Sequence, residues 1–189
     1  MKKLIFLFIF LPILLYSYNI NSCDDTFADQ GTPTAIRGAE SYIAFGRDAS
    51  TLKYWNPYLG FPLLDSTILA CSLYFYCYQL AATVNATVCS TGRFDEGVLT
   101  WNNRPALGAD LSTISINAVN TWFIWNVTQT AKSRKGDTLW LGMYSGNTPA
   151  GTPNYFRSKE YGSYIPYVKV YTLSGGAVKK VISHRAGIF

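Results

Sequence analysis

Two groups of tyrosines in this 189-residue chain could do binding chemistry, because they recur at every second position. In a β-strand, such residues lie on one side of the sheet. The larger group interleaves rings with cations and forms one surface if its two strands are neighbours: Tyr155, Arg157, Lys159, Tyr161, Tyr167, Lys169 and Tyr171. Tyrosine rings stack on the faces of sugars, and Arg or Lys binds carboxylates. The pattern favours a ligand that combines flat apolar faces with negative charge.

The second group is Tyr74, Tyr76 and Tyr78. Along a strand their rings recur every ~6.6 Å, which is close to the repeat of a sugar chain. Both groups have a structural alternative, since tyrosine is a favoured strand residue and packs across strands in proteins that have no such ligand. We assign the tryptophans Trp101, Trp122 and Trp125 to packing rather than to ligand stacking.

The sequence offers little for catalysis. The only histidine is His184, close to the end of the chain, which argues against a Ser-His-Asp or Cys-His arrangement. Asp95 and Glu96 are adjacent and would point to opposite faces of a strand, so they are better interpreted as turn residues than as a glycosidase pair. We predict no catalytic residues and no cofactor. Asp24 and Asp25 either help to hold a structural calcium ion or belong to a solvated segment.

Short β-strands must position these residues. The chain is 49% hydrophobic and 16% aromatic, enough to fill a core, and its Tyr, Thr, Val and Ile favour strands. The clearest strand covers residues 71–78, with Cys71, Leu73, Phe75 and Cys77 on one face, and residues 83–90 are expected to return as its hairpin partner. With about nine strands in all, we predict an all-β, single-domain β-sandwich of the jelly-roll type.

Four other segments carry weaker signals. Residues 24–38 are polar and predict a surface segment, and residues 98–101 favour a short strand. Residues 53–64 contain Pro57, Gly60 and Pro62 and predict at most an edge strand. The only helix candidate covers residues 128–135.

The two ends of the chain differ in composition from its middle. Residues 1–22 predict a secretory signal peptide, because Lys2 and Lys3 precede an apolar stretch too short for a comfortable membrane span. The folded domain is then expected over residues 23–173, with a basic tail over residues 174–189. We expect the protein to be secreted, with no membrane span in the mature chain. Its mild positive charge is not typical of a nucleic-acid-binding protein.

In an oxidising compartment, the four cysteines could form two disulfides. Cys77 with Cys89, across the expected hairpin, is the first pairing to test. The alternative is that Cys71 and Cys77 are small buried hydrophobic residues. Asn85 and Asn126 each begin an N-glycosylation sequon, which matters only if the source cell glycosylates proteins.

One stretch resembles a family signature. Residues 96–105, Glu-Gly-Val-Leu-Thr-Trp-Asn-Asn-Arg-Pro, are similar to the EGxxTWNNRP motif of the DNRLRE domains, also classed as carbohydrate-binding module family 96 and found in disaggregatase-related proteins. Three other pieces resemble the same family in the same order, at residues 41–47, at residues 122–128, and at residues 155–161 followed by 166–170. Together they cover roughly residues 25–172. Gly60, Pro62 and Asn126 depart from the family's usual Arg, Asp and Asp.

The resemblance implies a secreted, non-catalytic jelly roll that binds polysaccharide, and some members recognise acidic glycans through basic side chains. Arg104, within the signature, either shapes its loop or lines the binding site. The main hypothesis is therefore a module for an acidic or matrix polysaccharide. A structural or adhesive surface protein that contacts an extracellular matrix partner is the alternative, and a polysaccharide-degrading enzyme is a weaker one.

Overall fold

The computed structural model describes residues 15–48, 51–64, 66–145 and 153–173, and the expected basic tail lies outside them. The chain folds as an all-β sandwich of the jelly-roll type, as predicted. Its elements are β1 (Leu15–Asn21), β2 (Asp24–Asp29), β3 (Tyr42–Arg47), β4 (Tyr54–Pro62), β5 (Ile68–Gln79), β6 (Val84–Thr91), β7 (Leu107–Ile116), β8 (Thr121–Asn126), α1 (Thr128–Ser133), β9 (Thr138–Ser145), β10 (Asn154–Arg157), a 3₁₀ turn (Lys159–Tyr161) and β11 (Tyr167–Leu173).

The strands form two antiparallel sheets. In sheet A, β8 pairs with one edge of β5, and β10 and β11 pair end to end with the other edge. Beyond them, β3 pairs with β10 and β1 pairs with β11. In sheet B the order is β2, β4, β9, β6, β7. The end of β3 also pairs with β4, and Gly46 supplies the positive φ of 126° where β3 passes from one sheet to the other.

The core between the sheets follows the alternation of the strands. On β5, Cys71, Leu73, Phe75 and Cys77 are fully buried, as the sequence predicted. Trp125 is also fully buried, and its indole N–H donates to the carbonyl of Ala86 at 3.0 Å. This hydrogen bond satisfies the one polar group that the ring takes into the core.

The predicted hairpin between residues 71–78 and 83–90 is wrong. β5 and β6 are consecutive in the chain, but β5 belongs to sheet A and β6 pairs with β7 and β9 in sheet B. The Cys77–Cys89 disulfide that depended on this hairpin is not formed, and all four cysteines are free thiols. Cys71, Cys77 and Cys89 are buried, which agrees with the alternative interpretation of small hydrophobic residues.

Three segment predictions also fail. Residues 53–64 contain β4, a nine-residue strand with partners on both edges rather than a sheet edge. Part of the predicted surface segment is β2, where Phe27 and Ala28 are buried. Residues 98–101 form turns and loop instead of a strand. For β2 and β4, pairing with distant strands decided what local composition could not.

Residues 15–21 form β1 and pair along their full length with β11, so the predicted signal peptide of residues 1–22 overlaps a strand of the fold. Its side chains are mainly exposed, although Tyr18 and Ile20 pack against the core. Within the described residues, no helix is long and apolar enough to cross a membrane.

Candidate functional site

The two predicted tyrosine groups meet on the outer face of sheet A. We call this surface the tyrosine face and define it as Tyr74, Tyr76, Tyr78, Trp122, Tyr155, Arg157, Tyr161, Tyr164, Tyr167, Lys169 and Tyr171. It spans β8, β5, β10 and β11, with Tyr161 and Tyr164 contributed by the segment between β10 and β11. The sequence made this surface conditional on β10 and β11 being neighbours, and the two strands are not paired with each other. β5 brings them together, because both pair with its free edge.

Many rings of the tyrosine face pack on one another. Tyr74 stacks on Tyr167 with centroids 4.7 Å apart, and Tyr76 stacks on Tyr164 at 4.2 Å. Trp122 lies edge-on to Tyr76 at 5.3 Å. The packing expected from the structural alternative is therefore present. It fixes the rings in place while leaving them partly exposed, most of all Tyr161 (42%) and Tyr164 (49%).

Arg157 is the best-held cation of this face. Its guanidinium carbon lies 3.7 Å from the ring centroid of Tyr78 and 3.5 Å from that of Tyr161, so the group is sandwiched between two rings. Among the described residues, no carboxylate forms a salt bridge with it. Its Nε is buried without a hydrogen-bond partner. The charge is thus fixed in position, and no described carboxylate neutralises it.

Lys169 is the second cation of the face. It is half-buried on β11, and its Nζ lies 5.4 Å from the ring centroid of Tyr171. Within the described part of the chain it forms no salt bridge. Both cations therefore lie beside tyrosine rings, as the alternation of residue types suggested.

Lys159 does not join this surface. The strand ends at Arg157 and residues 159–161 form a 3₁₀ turn, so the expected alternation stops there. The Lys159 ammonium instead donates to Glu96 and Glu160. Partial burial opposes its charge, but the hydrogen bonds to Glu160 and Glu96 outweigh this and raise the pKa of Lys159. Its charge is therefore already paired inside the protein.

Asp25 completes a carboxylate cluster around this lysine. Asp25, Glu96 and Glu160 each place an oxygen within 4.8 Å of the others. The Asp25 side chain accepts from the hydroxyl of Ser22 at 2.7 Å and from the backbone N–H of Lys159 at 3.0 Å. Burial is the main reason that the pKa of Asp25 lies well above its usual range. Asp24, the other acidic residue considered for a metal, is not part of this cluster.

Arg104 lies on the other side of the sandwich. Residues 92–106 cover the outer face of sheet B, where Ala28, Tyr58, Phe94 and Leu99 form a second buried cluster. The Arg104 guanidinium lies 3.5 Å from the Trp101 ring centroid and donates to the carbonyl of Trp101. Of the two roles considered for Arg104, these contacts within its own loop favour the first, a residue that shapes the loop.

Two residues of the tyrosine face were missed by the sequence analysis. Trp122 was assigned to packing, although its alternation with the buried Phe123 and Trp125 marks it as outward-facing. Tyr164 lies in the irregular segment between β10 and β11, where no periodicity applies, and no sequence signal could have placed it. The sequon residues Asn85 and Asn126 are exposed on β6 and β8, and their glycosylation stays a prediction.

The family model of carbohydrate-binding module family 96 matches residues 16–172, nearly all of the described structure. The chain belongs to carbohydrate-binding module family 96. The match begins at residue 16 and so includes almost all of β1. Membership establishes the protein as a carbohydrate-binding module rather than an enzyme, as the sequence predicted.

Among solved structures, the module is similar to a family 11 carbohydrate-binding module from Clostridium thermocellum in complex with a β-1,3-1,4-mixed-linked tetrasaccharide. The two are 10% identical, and the match covers 85% of this chain and 91% of that chain with a TM-score of 0.32. With a TM-score this low, the assignment rests on the family model alone. No curated protein matches the chain.

Proposed function

We propose that this module is secreted and binds an acidic polysaccharide through the tyrosine face. The observation that carries the proposal is Arg157, a cation held between Tyr78 and Tyr161 with no carboxylate partner among the described residues. A guanidinium fixed in this way has lost most of its rotational freedom before a ligand arrives. It can form a paired hydrogen bond with a carboxylate at a small further cost in entropy.

The rings supply the second half of the recognition. Tyr161 and Tyr164 are the most exposed rings of the tyrosine face, and Trp122 is half-buried beside Tyr164. Apolar faces of sugar rings would pack against these surfaces, while Arg157 and Lys169 pair with the acidic groups of the chain. A polysaccharide with a carboxylate on its sugars satisfies both requirements, whereas a neutral glucan satisfies only the first.

The proposal is tested by binding of the purified protein to alginate, polygalacturonate and a neutral mixed-linkage glucan, at about 20 mM and about 500 mM NaCl. We expect binding to at least one polyuronate that weakens at high salt. Arg157→Gln should lower this affinity by about tenfold or more, because a hydrogen bond to a charged group is lost. Arg93→Gln removes the same charge from an exposed site in the loop over sheet B and should leave binding unchanged.

Equal losses in the two variants would show that only net charge matters and would contradict the assigned face. Absence of binding to every glycan would overturn the proposal and favour the adhesive alternative with a matrix protein as partner.

Secretion is tested separately, by recovering the protein from culture medium and sequencing its N terminus. If the sequenced N terminus lies before Tyr18, the secreted protein keeps the greater part of β1.

A further inference from the structure

The carboxylate cluster of Asp25, Glu96 and Glu160 joins three distant parts of the chain. Asp25 belongs to β2, Glu96 to the loop that covers sheet B, and Glu160 to the 3₁₀ turn after β10. The backbone N–H of Asp25 also donates to Glu96 at 2.9 Å. Three carboxylates so close together repel one another, and the single ammonium of Lys159 neutralises at most one of the three charges.

A second observation points to a ligand at this place. Asp25 is only 1% exposed, and its Oδ1 is buried without any hydrogen-bond partner. The two hydrogen bonds to this carboxylate, from Ser22 and Lys159, both reach the other oxygen, Oδ2. A buried carboxylate oxygen without a donor is costly, since it has lost its water and gained nothing in return. A bound cation removes that cost.

The size of the cluster indicates which cation would fit. Calcium binds oxygen ligands at about 2.3–2.6 Å, so ligands on opposite sides of the ion are about 5 Å apart. The three carboxylate oxygens already lie within 4.8 Å of one another. Magnesium is less suited to a site of three carboxylates, since it demands a near-ideal octahedron with ligands at about 2.0–2.1 Å and gives up its bound water reluctantly. Zinc in structural sites prefers Cys and His ligands, which this cluster lacks.

We propose that Asp25, Glu96 and Glu160 bind a calcium ion, and that the ion displaces the ammonium of Lys159. Water completes the shell, because three carboxylates supply fewer oxygens than calcium requires. The ion ties β2, the covering loop and the turn after β10 together more firmly than one flexible lysine does. The proposal is independent of the proposed glycan, because none of the three carboxylates belongs to the tyrosine face.

The test is calcium titration of the purified, chelator-treated protein by calorimetry and thermal unfolding. We expect a dissociation constant of about 0.1–1 mM, the range of extracellular calcium modules, and weaker binding of magnesium. Calcium at ~30 times that constant should raise Tm by about 4–8 °C. Asp25→Asn keeps the size of the side chain and should weaken calcium binding at least about tenfold. Asp137→Asn, an exposed carboxylate paired with Arg134, is the matched control and should bind calcium normally.

Lys159→Met separates the proposal from a purely structural ion-pair cluster. If calcium and the ammonium compete, this variant is less stable than the wild type without calcium, binds calcium more tightly and regains its stability when calcium is added. If Lys159 alone completes the cluster, titration with calcium gives no heat of binding and no change in Tm, in the wild type or in the variant. That result would overturn the proposal, as would equal calcium binding in the wild type and Asp25→Asn.

Discussion

The outer faces of sheets A and B use similar aromatic residues in opposite ways. On sheet B, residues 92–106 fold over the strands and bury Tyr58, Phe94 and Leu99 in a cluster of their own. Burial there raises the pKa of Tyr58 to about 12. On sheet A, the segment between β10 and β11 adds Tyr161 and Tyr164 to the surface, and these rings remain half-exposed. One face has become a small second core, and the other has stayed a surface.

This difference separates what the family signature specifies from the surface that we propose binds the glycan. The signature residues 96–105 lie in the loop over sheet B, where Leu99 and Trp101 pack and Glu96 joins the carboxylate cluster. Gly38 lies against the same loop, and a Cβ at this position would come within 2.4 Å of the Glu96 carbonyl oxygen. The signature residues therefore have a structural role, which is to pack the covering loop against sheet B. The tyrosine face, outside it, carries the proposed specificity.

The largest effect is expected from opening the covered face. Leu99→Ala removes a side chain that is 2% exposed from the cluster over sheet B and should lower the free energy of unfolding by about 2–5 kcal/mol. Val98→Ala, at the neighbouring position that is 56% exposed, should be nearly neutral. Urea unfolding measures both values. A small loss in Leu99→Ala would show that the loop does not form a core, and the contrast between the faces would fail.

A matched pair of tryptophans sharpens the contrast. Trp122 lies on the tyrosine face and Trp140 packs against the cluster over sheet B, and both are half-buried. Each change to Ala should cost stability, but only Trp122→Ala should also weaken polyuronate binding, by about tenfold, because a stacking surface is lost. Binding isotherms at a temperature where both variants are folded provide the measurement. Equal losses of affinity would mean that binding is not confined to one face.

The smallest effect is expected for Arg104→Ala. This residue stacks on Trp101 in the loop over sheet B, on the side of the sandwich away from Arg157. Loss of the cation–π contact should cost about 0.5–1 kcal/mol of stability. Polyuronate affinity should not change beyond the small effect of net charge. A loss of affinity as large as that of Arg157→Gln would place the binding site on sheet B.

The sequence predicted most of the tyrosine face because period-2 alternation is a local property. Tyr74, Tyr76 and Tyr78 face outward because Leu73, Phe75 and Cys77 are buried, and that pattern was readable along β5. The same reasoning failed at Lys159, because the strand ends at Arg157 and alternation holds only inside a strand. It failed again for the β5–β6 hairpin, since a short connection does not reveal that the chain changes sheets there.

The sequence by itself determined the all-β class, the inward faces of the strands and the family. Alternation of buried side chains and a ten-residue signature can both be recognised from residues that are close together in the sequence. Only the tertiary structure decided that the two tyrosine groups form one face, since they meet through the long-range pairing of β10 and β11 with β5. It also decided that Asp25, Glu96 and Glu160 lie close together in space. Along the chain, Glu96 follows Asp25 by 71 positions, and Glu160 follows Glu96 by 64. Contacts between distant segments depend on how the whole sandwich closes, and no local pattern encodes that closure.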